Sequence, residues 1–139
     1  MIPSVLLIED DDIVNYCNEF LLRDLGVTEN ISIAQNGQEA LDFLAKCEAG
    51  EPGYVFPNLI FLDINMPMMN GFEFLDHFEN VPYRQKVDAL VVMLTTSLHT
   101  DDVERAKNYS SIIDYVYKPL LKEKVELILS KHFRDVLDS

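Results

Sequence analysis

The sequence predicts an α/β fold: one doubly wound, five-stranded parallel sheet with five helices. Three observations predict it. Strand-like and helix-like periodicities alternate five times along the chain, the strand segments are continuously apolar, and most segments between them are short. Continuous apolarity means burial on both faces, the signature of a parallel sheet with helices on each side.

In order, Ser4 to Ile8 reads as the first strand, and Ile13, Val14, Cys17, Phe20 and Leu21 repeat at helical spacing behind it as the face of a first helix. Ile31 to Ala34 leads into a helix from about Gly37 to Cys47. Leu59 to Leu62 leads into one from Phe72 to about Phe78. Leu90 to Leu94 precedes a helix near Asp101 to Tyr109, and Tyr115 to Tyr117 precedes a last one from Leu120 to about Leu137. The segment Glu48 to Asn58, with Gly50, Pro52, Gly53 and Pro57, reads as a long surface loop.

The 139 residues, 48% of them hydrophobic, suffice for one core, so a single domain over residues 1–139 is expected. A net charge of −13 repels phosphate backbones and anionic lipid, which argues against nucleic-acid and membrane partners. Cys17 and Cys47 lie in unrelated segments without metal-ligand spacing, and read as reduced, partly buried thiols. The apolar run near the N-terminus is too short for a signal peptide, so a cytoplasmic location is expected. No basic recognition helix of the DNA-reading kind and no output domain is read in the chain.

Ligands of open α/β sheets bind at the carboxyl ends of the strands. There the sequence places Glu9-Asp10-Asp11-Asp12, then Asp63, then Thr95-Thr96-Ser97, and finally Lys118-Pro119. Asp11 and Asp12 fit the start of a helix as cap and first-turn charge, whereas Glu9 and Asp10 have no such explanation. Two carboxylates about 5 Å apart repel by about 3 kcal/mol at an effective dielectric of about 20, so Glu9, Asp10 and Asp63 sharing one mouth call for a cation. An all-oxygen site of this kind suits Mg²⁺, with Lys118 as a further fixed charge.

This set of residues resembles the receiver domain of two-component response regulators, a flavodoxin-like fold, over essentially the whole chain. Four separated motifs carry the resemblance: Glu9-Asp10, Asp63 within LDINMPMMNG, Thr95, and Lys118-Pro119 with its cis peptide. It implies that Asp63 accepts a phosphoryl group from a histidine kinase, a phosphotransfer protein or a small phosphodonor. Asp10, Asp63 and the carbonyl of Asn65 would hold Mg²⁺, with Glu9 acting through water. It further implies that Thr95 binds a phosphoryl oxygen, that Tyr115 turns inward in response, and that the surface of the fourth helix, fifth strand and fifth helix changes for a downstream protein target. Such a chain catalyses its own phosphorylation and slow autodephosphorylation without being a conventional enzyme. Asn65 and Ser97, each two positions beyond a site residue, are small enough to admit water, which implies a signal that decays readily.

The chain departs from the family pattern in two places. Ser110-Ser111-Ile112-Ile113 stands where Gly-Ala is common, and the Thr95 to Lys118 spacing is one residue long, leaving Thr96 as a second candidate for the switch hydroxyl. An aspartyl-phosphate hydrolase would have an acid at position 65, where this chain has Asn65, and a flavin binder would not place EDDD where it must hold phosphate. The remaining rival is a receiver that works without phosphorylation, as an interaction module. His77, His99 and His132 are scattered and read as surface residues.

Overall fold

A computed structural model describes residues 1–134 and contains β1 (Val5–Ile8), α1 (Asp12–Asp24), β2 (Ile31–Ala34), α2 (Gly37–Glu48), β3 (Leu59–Leu62), α3 (Gly71–Asn80), β4 (Leu90–Thr95), α4 (Thr100–Ala106), β5 (Ile112–Tyr117) and α5 (Lys122–His132). All strand pairs are parallel, in the order β2-β1-β3-β4-β5. The order reverses between β1 and β3, so a crevice opens at the carboxyl ends of those two strands.

Alternate residues of each strand feed two separate cores. Leu6, Ile8, Ile60, Leu62, Val91 and Met93 pack under α2, α3 and α4 with Leu44, Phe72, Phe74 and Phe78. On the opposite face Val5, Leu7, Leu59, Phe61, Val92 and Leu94 meet Leu22 of α1 and Val125 and Ile128 of α5. Burying each of the three phenylalanines is worth about 1.5–3 kcal/mol, and Phe74 and Phe78 also stack at 5.7 Å between centroids.

Several boundaries differ from the expectation. The last helix spans Lys122–His132, and Leu137 lies outside the described residues. Helix α4 stops at Ala106, with Tyr109 beyond it, and β5 begins at Ile112, three residues early. A 3₁₀ turn, Gln85–Asp88, precedes β4 and has no counterpart in the sequence reading. In α1 the helical period of the apolar residues is real, and Leu21 among them packs against the second core, but most of the others lie outside the packed face. Ile13, Tyr16 and Phe20 are 74%, 71% and 64% exposed and Cys17 is exposed too, while the inward residues are Asn15, Asn18 and Leu22. Period fixes a helix but not which stripe it buries.

Strand β5 carries a bulge near its start. Val91 pairs with Ile112 but Val92 pairs with Asp114, and from there the register runs evenly to Thr95 opposite Tyr117. The cis Lys118-Pro119 peptide follows directly.

The loop after β3 is constrained at two positions. A Cβ on Gly71 would lie 2.4 Å from the carbonyl oxygen of Asp63, while the Gly71 N–H donates to the Ile64 carbonyl at 2.9 Å. Met68 has φ +68° at the centre of a γ-turn in which Met69 N–H donates to the Pro67 carbonyl at 2.8 Å. Its side chain is exposed and gains nothing from that conformation. Substitutions here should therefore act in opposite directions in urea unfolding. Gly71→Ala is expected to cost about 2–3 kcal/mol by forcing backbone apart, and Met68→Gly to add about 0.5–1 kcal/mol by relieving strain. A wild-type midpoint for Gly71→Ala would contradict the close approach.

Candidate functional site

The crevice between the ends of β1 and β3 gathers most of the residues singled out in the sequence. Glu9 continues β1, its N–H donating to the Ala34 carbonyl at 2.9 Å, and Asp63 continues β3, its N–H donating to the Ile8 carbonyl at 3.1 Å. Extended backbone therefore aims both carboxylates out of the sheet edge. Glu9 and Asp63 are buried and Asp10 is exposed, and carboxylate oxygens of the three lie within 4.8 Å of one another. Asp11 caps α1, accepting from Ile13 N–H at 2.8 Å and Val14 N–H at 3.2 Å, and Asp12 sits in the first turn, the roles that their position before a helix suggests.

Lys118 projects into the same crevice from the end of β5. Its Nζ contacts Glu9 Oε1 and lies 3.4 Å from Asp63 Oδ2. The second oxygen of Glu9 accepts from Asp11 N–H at 3.2 Å. Asn15, which the sequence reading passed over, donates from Nδ2 to the Glu9 carbonyl at 2.8 Å and fixes the backbone there. The available signal was an asparagine on the inward stripe of α1, where an aliphatic side chain would serve packing better.

Burial controls the electrostatics. It pushes the Glu9 carboxyl from its ordinary 4.5 up to about 7, with the Lys118 ammonium opposing and the Asp63 charge adding. Burial likewise raises Asp63, against the pull of Lys118. Lys118 is lowered by burial, but the two carboxylates outweigh this and its pKa ends above the ordinary value. One ammonium among three carboxylates leaves the crevice net negative, with all-oxygen donors at short range. That donor set fits a hard divalent cation such as Mg²⁺ and offers nothing to a thiophilic metal.

The hydroxyl side of the site lies on β4. Thr95 is fully buried at the strand end and its Oγ1 accepts from Ser97 N–H at 3.2 Å, whereas Thr96 is exposed. Ser97 is a junction. Its Oγ donates to Asp102 Oδ2 on α4 at 2.5 Å, and its carbonyl accepts from the Tyr115 hydroxyl of β5 at 3.1 Å. Tyr115 is thus half-buried and already turned toward the β4–α4 segment. Asn65 is exposed beside Asp63. The arrangement brings together a buried carboxylate, a fixed ammonium, an acid cluster with the donor chemistry of a cation site, and a buried hydroxyl bonded to Ser97, which in turn touches α4 and β5.

A family model for the response regulator receiver domain matches residues 5–130. A two-component response regulator from Cytophaga hutchinsonii superposes with a TM-score of 0.84 at 34% identity, covering 96% of this chain and 98% of that one. A second, from Legionella pneumophila, gives a TM-score of 0.79 at 27% identity, over 95% of this chain and 98% of the other. Among curated proteins, the probable methanogenesis regulatory protein FilR2 of Methanothrix harundinacea is 34% identical over 89% of this chain and 79% of its own length. The transcriptional regulatory protein CitT of Halalkalibacterium halodurans is 35% identical over 86% of this chain, which spans only 47% of CitT. Sheet order, acid crevice, lysine and sequence match agree, and the chain belongs to the response regulator receiver family of two-component signalling.

Proposed function

We propose that this receiver domain is a phosphorylation-dependent switch whose phosphoacceptor is Asp63. One observation carries the reading: Asp63 is a buried carboxylate at the end of the central strand β3, 3.4 Å from the Lys118 ammonium and within 4.8 Å of the Glu9 and Asp10 carboxylates. A carboxylate oxygen of Asp63 attacks the phosphorus of a phosphohistidine. The P–N bond breaks, the imidazole nitrogen keeps the electron pair, and the product is an acyl phosphate. Phosphoryl transfer is accelerated by positioning and by neutralising charge on the transferred oxygens, and Lys118 is placed for that task. Asp10, Asp63 and the Asn65 carbonyl would hold Mg²⁺, with Glu9 acting through bound water, and the ion would add a second positive charge at the phosphoryl oxygens.

The Thr95 hydroxyl would donate to a phosphoryl oxygen in place of its bond to Ser97 N–H. Movement of Ser97 would be felt directly by Asp102 of α4 and Tyr115 of β5. The α4, β5 and α5 surface would then change for a downstream protein target. Phosphodonor docking, from a histidine kinase or phosphotransfer protein, suits α1. There Ile13, Tyr16 and Phe20 form an exposed apolar stripe beside the crevice. No described helix is long and apolar enough to cross a membrane.

Treatment with acetyl phosphate and Mg²⁺ is expected to add one phosphoryl group by mass spectrometry, and Asp63→Asn to abolish it. No adduct with any donor would favour the interaction module that needs no phosphorylation. Phe20→Lys should leave labelling by acetyl phosphate intact while slowing transfer from a phosphohistidine protein by about tenfold or more; equal loss with both donors would remove α1 from the docking role. Asn65→Tyr should lengthen the adduct's lifetime by screening it from water.

The pH dependence has a definite sign. A carboxyl whose pKa is raised by folding contributes its full stability below its ordinary value of 4.5, and that contribution is lost as pH climbs through about 7. For Glu9 this amounts to about 3 kcal/mol; Asp63 acts in the same sense, and Lys118 stays charged throughout. Metal-free protein should therefore lose stability between about pH 5 and about pH 8, with a shallower loss in Glu9→Gln. Mg²⁺ at about 100 times its Kd should restore about 2.7 kcal/mol at the higher pH. Equal slopes for the two proteins in urea unfolding would refute this account of Glu9.

A further inference from the structure

Strand β5 is an outer edge of the sheet, and its ladder with β4 ends at Lys118. The Lys118 N–H donates to the Thr95 carbonyl at 2.9 Å, and Pro119 has no N–H with which to continue. In a parallel ladder a residue bonds to the two neighbours of its partner. With Thr95 opposite Tyr117 and bonded to Lys118, the Tyr117 carbonyl is therefore turned away from β4, toward the open edge. Lys124, in the first turn of α5, covers it. Its Nζ donates to the Tyr117 carbonyl at 2.6 Å and to the Pro119 carbonyl at 3.2 Å, the two that bracket Lys118. Nothing in the helix itself favours a lysine there. The helix dipole opposes a cation in the first turn, and the residue one turn on is the buried Ile128 instead of an acid. Lys122, in the same turn, has such an acid in Glu126 at 3.8 Å, whereas Lys124 forms no ion pair among the described residues.

We infer that Lys124 is a positioning residue for phosphoryl transfer: its ammonium clamps the main chain on both sides of Lys118 and so sets the point from which the Lys118 side chain reaches the crevice. This role rests on the receiver reading above, in which Lys118 neutralises charge on the transferred oxygens. Lys118 carries its own ammonium on a flexible stem, lying against Glu9 and 3.4 Å from Asp63 Oδ2. The two acids attract that ammonium, but a flexible stem can satisfy them from more than one starting point. With the Thr95 bond on one side and Lys124 on the other, the backbone at Lys118 is tied to β4 and α5 at once. A fixed base matters because charge stabilisation depends on a preorganised position, and small misplacements slow a reaction steeply. Lys124 makes no hydrogen bond to Glu9, Asp10 or Asp63 among the described residues, so its effect passes through Lys118.

Lys124→Met keeps the stem and removes the donor, whereas Lys124→Arg keeps a cationic donor. At saturating Mg²⁺, labelling of Asp63 by acetyl phosphate is expected to slow by about tenfold in Lys124→Met and to recover to within about threefold of wild type in Lys124→Arg. Lys122→Met, which removes the same charge from the same turn, should label within about twofold of wild type, since exposed charges of this kind contribute little. In a Lys118→Met background, adding Lys124→Met should change the rate by less than about twofold, because the residue through which it acts is gone. Crystal structures provide an arm that needs no phosphorylation: the Lys118 ammonium should lie about 1 Å or more farther from Asp63 in Lys124→Met than in wild type. An unmoved Lys118 in that variant overturns the inference. So does equal slowing in Lys122→Met, or a Lys124→Met effect that persists in full without Lys118, the mark of a merely structural role. Failure of wild-type Asp63 to take a phosphoryl group would instead count against the receiver reading, and the position of Lys118 in the two crystal structures would still decide the clamp.

Discussion

Everything at the working edge of this molecule follows from forcing the Glu9 and Asp63 carboxylates into one buried crevice. Neither can move away, because each is the direct continuation of a central strand whose backbone bonds fix it to its neighbour. Desolvation favours protonation of both acids and the Asp63 charge raises Glu9 further, while Lys118 answers two acids at once. The site is therefore held in an electrostatically unfavourable arrangement by the apolar sheet around it. An arrangement of that kind is one whose energy added positive charge would change appreciably.

The path outward from the crevice is short. Thr95 touches Ser97, and Ser97 touches both α4 and β5, so a change at one buried hydroxyl reaches two surface elements through single hydrogen bonds. Next to this junction, the short helix α4 is tied to α3 by a compact cluster: Arg105 lies over the Phe72 ring at 4.5 Å, and the Tyr109 hydroxyl donates to Asp76 at 2.6 Å. A seven-residue helix with no side-chain cap bond at its start depends on such contacts for its position.

The sequence made the architecture legible because burial on both faces leaves a plain mark: VLLI and LIFL are apolar throughout, and LVVMLT is apolar up to its final Thr95. The acid pair, Asp63, Thr95 and Lys118 were legible because strand ends are easily located and polar residues there stand out. What stayed hidden had physical reasons. Helix α1 carries apolar residues on its exposed stripe and amides on its buried one, so hydropathy pointed to the wrong face, and Asn15 and Asn18 passed unnoticed. The early start of β5 was masked by the polar Asp114, and the 3₁₀ turn by a segment with no buried residue of its own. Lys118 lies closer to Glu9 than to Asp63, a preference no linear reading could supply.

The bulge that opens β5 has a consequence beyond its own few residues. In an unbroken strand Ile112 would share a face with Asp114 and Val116, but inserting one unpaired residue reverses the alternation. Ile112 and Tyr115 consequently pack toward one core, and Ile113 and Val116 toward the other. The bulge acts as a parity switch placed upstream of the chemistry. Behind it, Tyr115 faces Ser97 and Tyr117 stands level with Thr95, so the register that sets this edge is established only after the bulge and is decoupled from the segment ahead of it.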